Sequence, residues 1–178
     1  MKELIVTDFL FKDILEQPAY KVFIRGGQAF DSKFPYEISL GFIPRLFEST
    51  VNDRYMIEEE ADCTEIYFVT HGTWGVAFNA FSPTEGGDKT ERELLFDGLS
   101  ETPEDMQKSG RKLAKTTVGH GYFGDYYILS SRRSQFHYVA LTSCETFALP
   151  KRFLFNEILT KFPGLHQELL ADSFFRYQ

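Results

Sequence analysis

Cysteine is scarce in this sequence, and its placement excludes the usual cysteine-based sites. The 178 residues include two cysteines, Cys63 and Cys144. They lie far apart in sequence and do not have the spacing of metal ligands. Reduced structural thiols in a cytosolic protein are the simplest interpretation of this usage.

Other catalytic signals are also missing. No serine lies in a G-x-S-x-G turn, no G-x-x-x-x-G-K-[ST] loop occurs, and the run Glu58–Glu60 is most simply a solvated edge. A metal-dependent jelly-roll enzyme of the cupin kind needs clustered histidines. None of the four histidines stands in an H-x-H or H-x-x-x-H pair: His71, His120, His137 and His166. We therefore expect no enzyme and no metal or cofactor, and we disfavour the cupin-like alternative.

The sequence has fewer basic than acidic residues, and it has no long hydrophobic run. Lys and Arg number 19 against 26 Asp and Glu, giving a formal net charge of −7. This balance argues against a nucleic-acid partner and against adhesion to anionic lipid, although one local positive pocket could still hold a small anion. No segment reads as a signal peptide or a membrane helix, so any work at a membrane requires a longer parent chain or a partner.

Aromatic residues, in contrast, are abundant. The chain has 19 phenylalanines and nine tyrosines, and 43% of its residues are hydrophobic. Such a composition suits a single compact domain with a strand-rich core. Residues 1–25 have helical spacing that Thr7 and Asp8 could cap and Pro18 interrupts, and helical spacing returns from Phe34 to Phe47 with a break at Pro44.

The middle and the end of the chain predict the rest of the architecture. "EIYFVT", the turn "HG" and "TWGVAF" predict a β-hairpin, and "KTTVGHGYFGD" and "HYVALTSCETFALP" predict further strands. Residues 82–115 are polar and rich in turn-forming residues, which predicts an exposed insertion. "KRFLFNEILTKF" and "LHQELLADSFFRYQ" predict two closing helices. The fold class is therefore α+β, with an antiparallel β unit between helices.

One stretch carries the chemistry, "GHGYFGDYYILSSRRSQFHYVAL", residues 119–141. An anion loop needs glycine for close backbone approach, a short helical turn with free N–H groups, and a cation, which arginine supplies as a two-bond fork. "FGDYYILSSRR" offers these elements together with an acid that could accept a ribose hydroxyl. A glycine bend followed by a solvated arginine pair fits the same residues equally well.

A family resemblance weighs on this choice. The phosphate-binding cassette of cyclic-nucleotide-binding domains runs Phe-Gly-Glu, short helix, Arg beside a small residue, then a Val-x-Ala strand. Here Phe123-Gly124-Asp125, "YYIL", Arg132-Arg133 and "YVAL" follow that order, and "EIYFVTHGTWGVAF" and "CETFALPKRFLFNEILTKFP" resemble the flanking segments. From about residue 34 to its end the chain resembles such a domain, particularly that of voltage-gated cation channels and, in wording, ciliate potassium-channel tails.

The resemblance implies a jelly-roll-like β-roll with helices before and after it, and a last helix that closes as a lid over the base. Residues 1–33 would be a helical linker-like segment and 34–178 the domain. Its function would be to regulate ion transport, as a domain of a potassium channel or another cation channel. The domain would be cytoplasmic, held at the cytosolic face of a membrane by a longer parent chain. Its partners would be cAMP or cGMP, other channel subunits or further proteins.

The implied ligand-binding residues depart from the family pattern at three places. Phe123, Gly124 and the backbone after them would hold the phosphate, but the family's glutamate is replaced by Asp125. Counted back from Ala140, the family's arginine falls on Ser134, and Arg133 would point to the opposite face. The small residue after the arginine becomes Gln135 or Phe136.

Two mechanisms stay open. In the first, the domain senses cAMP or cGMP, Asp125 holds the ribose, and Arg133 or Arg132 holds the charge. In the second, the pocket is nucleotide-blind, and the domain works through protein contacts. The protein's own aromatic side chains then fill the roll: Tyr126, Tyr127, Phe136 and Tyr138.

Overall fold

The fold is an antiparallel β-roll flanked by helices, as the sequence predicts. The computed structural model describes residues 5, 7, 11–20, 23, 31–49, 54–79 and 111–177. Within these ranges, eight strands form two four-stranded sheets. The strands are β1 Ile43–Phe47, β2 Tyr55–Ile57, β3 Glu65–His71, β4 Thr73–Asn79, β5 Arg111–Val118, β6 Gly121–Phe123, β7 His137–Ala140 and β8 Cys144–Pro150.

Short helices precede the roll, interrupt it after β6 and follow it. The helical turns before the roll are α1 Lys12–Leu15, a 3₁₀ turn Pro18–Tyr20 and α2 Phe34–Ser39, and α3 Asp125–Ser130 follows β6. The chain closes with α4 Lys151–Phe153, a π-helical turn Leu154–Ile158, α5 Leu159–Lys161 and α6 Leu165–Tyr177. In the described part of the chain, no helix is long and apolar enough to cross a bilayer.

The predicted hairpin between β3 and β4 is wrong. The sheets have the orders β1-β8-β3-β6 and β2-β7-β4-β5, so β3 and β4 lie in different sheets. Gly72 connects them with φ +105°, and a Cβ there would lie 2.4 Å from the carbonyl oxygen of Ser143. Only glycine fits this bend, which carries the chain from one sheet to the other.

The predicted helical spacing from Phe34 to Phe47 is only half right. Helix α2 ends at Ser39, and Ile43–Phe47 forms strand β1 instead. In the part of the chain that the structure describes, this strand lies at a sheet edge and pairs with β8 alone. Proline is tolerated on an edge strand because the missing N–H can face solvent there, so Pro44 ends the helical pattern without preventing a strand.

The predicted insertion is shorter at its C-terminal end than the composition indicated. Residues 111–115 belong to β5, which pairs with β4 along its length. The residues from 82 to 110 lie outside the described ranges. The polar composition misled the prediction because β5 is an edge strand with exposed Lys112 and Lys115 on either side of buried Leu113 and Ala114.

The segment before residue 34 shares the core of the roll. Ile14, Tyr20 and Phe23 are buried, and the ring of Phe23 lies 5.6 Å from that of Phe68 on β3. Within the described part of residues 1–25, Lys12–Leu15 is helical and Pro18–Tyr20 forms a 3₁₀ turn, and the remainder of that helical prediction lies largely outside the described residues. The predicted cap involves Asp8, which lies outside the described residues.

Helix α6 is placed against the start of the cassette. Leu165, Leu169 and Ser173 are buried at four-residue intervals, which defines one inward stripe. The helix packs on α3, and His166 Nε2 lies 3.2 Å from the carbonyl oxygen of Leu129. The last turn of α6 is thereby brought over the loop between β6 and α3.

Candidate functional site

The candidate site begins at the turn from β6 into α3. Gly124 has φ +93°, and a Cβ there would lie 2.9 Å from the carbonyl oxygen of Glu65. A side chain would therefore clash with β3, and only glycine allows the chain to turn at this point. The Gly124 N–H donates a hydrogen bond to the hydroxyl of Tyr177, with an N–O distance of 3.4 Å.

Asp125 is the first residue of α3 and its side chain points into the protein. It is 1% exposed, and its Oδ2 forms an ion pair with Nη2 of Arg176 on α6. Burial raises the pKa of the Asp125 carboxyl to about 6, against the lowering effect of the Arg176 charge. The carboxylate is thus committed to a partner within the protein.

Arg176 and Tyr177 hold the end of α6 through several further contacts. The Arg176 guanidinium carbon lies 4.0 Å from the centre of the Tyr122 ring. The Tyr177 hydroxyl lies 3.1 Å from that of Tyr138, and the Tyr177 ring stacks on Tyr126 with 5.0 Å between the ring centres. We call the contacts of Arg176 and Tyr177 with these residues, Gly124 and Asp125 the α6 clasp.

The two arginines of the predicted cassette are exposed, and Arg132 contacts one clasp residue, Tyr126. Arg132 is exposed and donates a hydrogen bond from Nη1 to the Tyr126 hydroxyl at 3.1 Å. Arg133 Nε lies 3.4 Å from Asp62 Oδ1, and its side chain is 65% exposed. Neither guanidinium lines the cleft described below.

Ser134, where the family's arginine would fall, is fully buried. Its backbone N–H donates to the carbonyl of Ala61 at 3.1 Å, and its hydroxyl donates to the carbonyl of Phe136 at 2.6 Å. The neighbouring Gln135 is exposed. The inward position of the cassette therefore carries a short neutral side chain that bonds to its own backbone neighbours.

Aromatic side chains occupy much of the roll. Tyr127 and Tyr138 are 1% and 3% exposed, whereas Tyr126 and Phe136 are partly buried against the same core. Phe123 stacks on Tyr138 with 4.3 Å between the ring centres and 12° between the planes. Burial raises the pKa of the Tyr177 hydroxyl, so this group remains a neutral hydrogen-bonding partner at physiological pH.

An open cleft of about 640 Å³ remains beside the clasp. Strands β4, β5, β6 and β7 and the end of α6 contribute to its walls. Two lining residues are cationic, none is acidic, and most of the others are aromatic: Trp74, Val76, Ala114, Lys115, Tyr122, Phe123, Phe136, Tyr138, Arg176 and Tyr177. Among the described residues, no group of three or more His, Cys, Asp or Glu side chains is placed to hold a metal ion.

The structure thus brings some sequence-selected residues together and separates others. Phe123, Gly124, Asp125, Tyr126 and Tyr127 surround the end of α6, whereas Arg132, Arg133 and Gln135 face outward. Sequence reasoning missed Arg176, Tyr177, Trp74 and Lys115. The one available signal was the expectation that the last helix closes over the pocket, which directs attention to the side chains of its final turn.

Solved structures with a similar fold include proteins described as binding a cyclic nucleotide. A protein from Ruegeria pomeroyi described as cyclic nucleotide binding has a TM-score of 0.59 and 12% identity, covering 94% of this chain and 59% of that one. The regulatory domain of Toxoplasma gondii PKA with cAMP has a TM-score of 0.52 and 16% identity, with coverage of 89% and 49%. The Thermus thermophilus catabolite activator protein has a TM-score of 0.51 and 16% identity, with coverage of 80% and 54%.

These similarities show the fold. The chain spans roughly half to three-fifths of the length of the structures it matches. No protein-family profile and no curated protein matches the chain.

Proposed function

We propose that this chain is a regulatory domain in which the last helix takes the place that a cyclic nucleotide takes in this fold. The observation that carries the proposal is the α6 clasp. The Gly124 N–H bonds to Tyr177 and the Asp125 carboxylate pairs with Arg176, and these are the groups that the family resemblance assigns to phosphate and ribose. A nucleotide would have to displace both α6 residues before it could bind there.

The charges of the cassette also favour a nucleotide-blind domain. Arg133 points toward Asp62 on the outside, and Ser134 occupies the inward position. Loss of one partner of a buried charge pair costs about 2–5 kcal/mol of binding, and each 1.4 kcal/mol is about tenfold in affinity. A micromolar nucleotide site would weaken to roughly tens of micromolar or millimolar on this ground alone.

A domain without a nucleotide must regulate through protein contacts, and α6 is the element suited to this. Its inward face is fixed by the clasp, whereas Phe174 and Phe175 are 48% and 75% exposed. Opening and closing of α6 would expose or cover different surfaces to a partner, which is regulation by population shift. We further propose that the parent protein is a cation channel, that the domain lies on its cytosolic side, and that α6 couples to the gate through subunit contacts.

Sensing of cAMP or cGMP is the second candidate function. The cleft of about 640 Å³ with Lys115 on its wall favours it, because a nucleotide base could enter there. Arg132 or Arg133 would then have to rotate inward to meet the phosphate, and α6 would have to release Asp125.

Hydrogen exchange on α6 distinguishes the two candidates. We expect slow exchange of the amides from Asp172 to Tyr177 in the ligand-free domain, because the clasp holds this turn closed. Millimolar cAMP or cGMP should leave these rates unchanged. A nucleotide-dependent change in α6 exchange, with no change in α1, would instead identify the domain as a cyclic-nucleotide sensor.

A further inference from the structure

The cleft beside the clasp has the size and the lining of a small-molecule site. Its volume of about 640 Å³ falls inside the range of about 300–1,000 Å³ that ligand pockets occupy. Such pockets combine a mostly apolar wall with a few convergent polar groups. This cleft has that composition, and its walls include four residues of the clasp: Tyr122, Tyr138, Arg176 and Tyr177.

The walls of the cleft favour a flat ring. The Trp74 and Phe123 ring centres lie 4.8 Å apart with their planes tilted by 39°, and Phe123 stacks on Tyr138 with 4.3 Å between the ring centres. Phe136 contributes a further ring that is only partly buried. Aromatic rings bind one another in offset-stacked or edge-to-face geometry, so a planar aromatic body would find partners along this wall.

The charges of the cleft favour an anion. Lys115 and Arg176 line it, and no acidic side chain does. Arg176 already pairs with Asp125, whereas Lys115 lies on edge strand β5 and makes no ion pair with a described residue. An anionic group on a ligand would therefore meet the Lys115 ammonium first, with the Arg176 guanidinium nearby.

We propose that this cleft binds a planar aromatic carboxylate, and the proposal rests on the nucleotide-blind function above. The groups that would hold a cyclic phosphate and its ribose are engaged by α6, and the lining of the cleft is mostly aromatic with two cations. A compact carboxylate on an aromatic body satisfies both without displacing Tyr177. Binding next to Arg176 would stabilise the closed position of α6, which gives the regulatory helix a small-molecule input.

Trp74 provides the test, because it is the only tryptophan of the chain and lines the cleft. We would titrate the whole chain with a biphenyl carboxylate and follow Trp74 fluorescence. The matched probe is the corresponding biphenyl carboxamide, which has the same shape without the charge. We expect a saturable change with the carboxylate and binding at least about tenfold weaker with the amide, the loss of one charge-assisted contact.

Two lysine variants on strand β5 test whether the charge of Lys115 is responsible for carboxylate binding. Lys115→Gln should lower carboxylate affinity about tenfold, to that of the amide. Lys112→Gln makes the same charge change outside the cleft and should leave the affinity unchanged. No saturable fluorescence change, equal affinity for the two probes, or equal effects of the two substitutions would each overturn the proposal.

The outcome is separable from that of the proposed function. Nucleotide-blindness fails if cAMP or cGMP displaces the biphenyl carboxylate at micromolar concentration. The cleft proposal fails if neither biphenyl probe binds. If cyclic nucleotides also leave Trp74 fluorescence unchanged, the nucleotide-blind function still stands.

Discussion

Arg176→Ala should lower the free energy of unfolding by about 3 kcal/mol, because it leaves the buried Asp125 carboxylate without its partner. Breaking a buried ion pair by removing one member costs about 3–5 kcal/mol. The lower end of that range applies because 27% of the Arg176 side chain is exposed and the pKa of Asp125 is already raised to about 6. A carboxyl with a raised pKa can become protonated when the guanidinium is removed, which limits the loss. Chemical denaturation at neutral pH measures the effect.

A double-mutant cycle and a surface control isolate the clasp. Asp125→Asn removes the buried charge, so Arg176→Ala should cost less in that background, with a coupling energy of about 0.5–3 kcal/mol. Arg152→Ala makes the same truncation at an exposed position and should change stability by no more than about 0.5 kcal/mol. Additive effects of Arg176→Ala and Asp125→Asn would show that the two side chains do not form a stabilising pair.

Tyr127→Ala should be about as damaging, for a different reason. Its ring is 1% exposed and contacts the rings of Tyr126, Tyr138 and Tyr177. Truncating a buried large aromatic side chain leaves a cavity and costs about 3–5 kcal/mol. Thermal unfolding should therefore shift down by many degrees, and α6 should lose part of its docking surface.

Phe136→Ala and Phe175→Ala truncate aromatic side chains that are less buried than Tyr127, so they test whether the loss of stability follows burial. Phe136 is partly buried, so its truncation should cost less than that of Tyr127. Phe175 is 75% exposed, and its replacement should leave the melting temperature nearly unchanged. Unchanged melting of both Tyr127→Ala and Phe136→Ala would mean that these aromatics do not fill the roll.

The order of glycine turn, short helix and strand could be predicted from sequence because these elements are contiguous. Phe123-Gly124-Asp125, the short helix and the strand at His137–Ala140 follow one another within 20 residues, and Gly124 has the positive φ that such a turn needs. Arg133 and Ser134 are neighbours shortly before β7, and the first is exposed and the second buried, as the alternation of side chains along an extended chain predicts. Short-range sequence patterns are sufficient to predict a feature when all of its residues are close together in sequence.

Features that depend on distant partners could not be predicted in the same way. Arg176 lies 51 residues from Asp125 in sequence, and nothing within "FFRYQ" indicates which acid it meets. The placement of β3 and β4 in two different sheets also depends on residues that are distant in sequence. A two-residue connection between apolar runs is typical of a hairpin, and only the packing around Gly72 directs the chain to the other sheet.

Strand β1 illustrates the ambiguity of short apolar runs. Ile43, Leu46 and Phe47 have helical spacing, yet the segment pairs with β8 and ends as an exposed edge strand. Five residues are too few for periodicity to separate a helix from a strand. The partner strand β8, a hundred residues later, decides the outcome.

Calorimetric titration of the whole chain with cAMP and cGMP tests the central claim most directly. The clasp engages Gly124 and Asp125, and we infer that Ser134 occupies the position where the family resemblance expects an arginine, so we predict no saturable heat up to millimolar nucleotide. Saturable binding of either nucleotide in the low micromolar range would contradict the account, because α6 would then yield its position to the ligand.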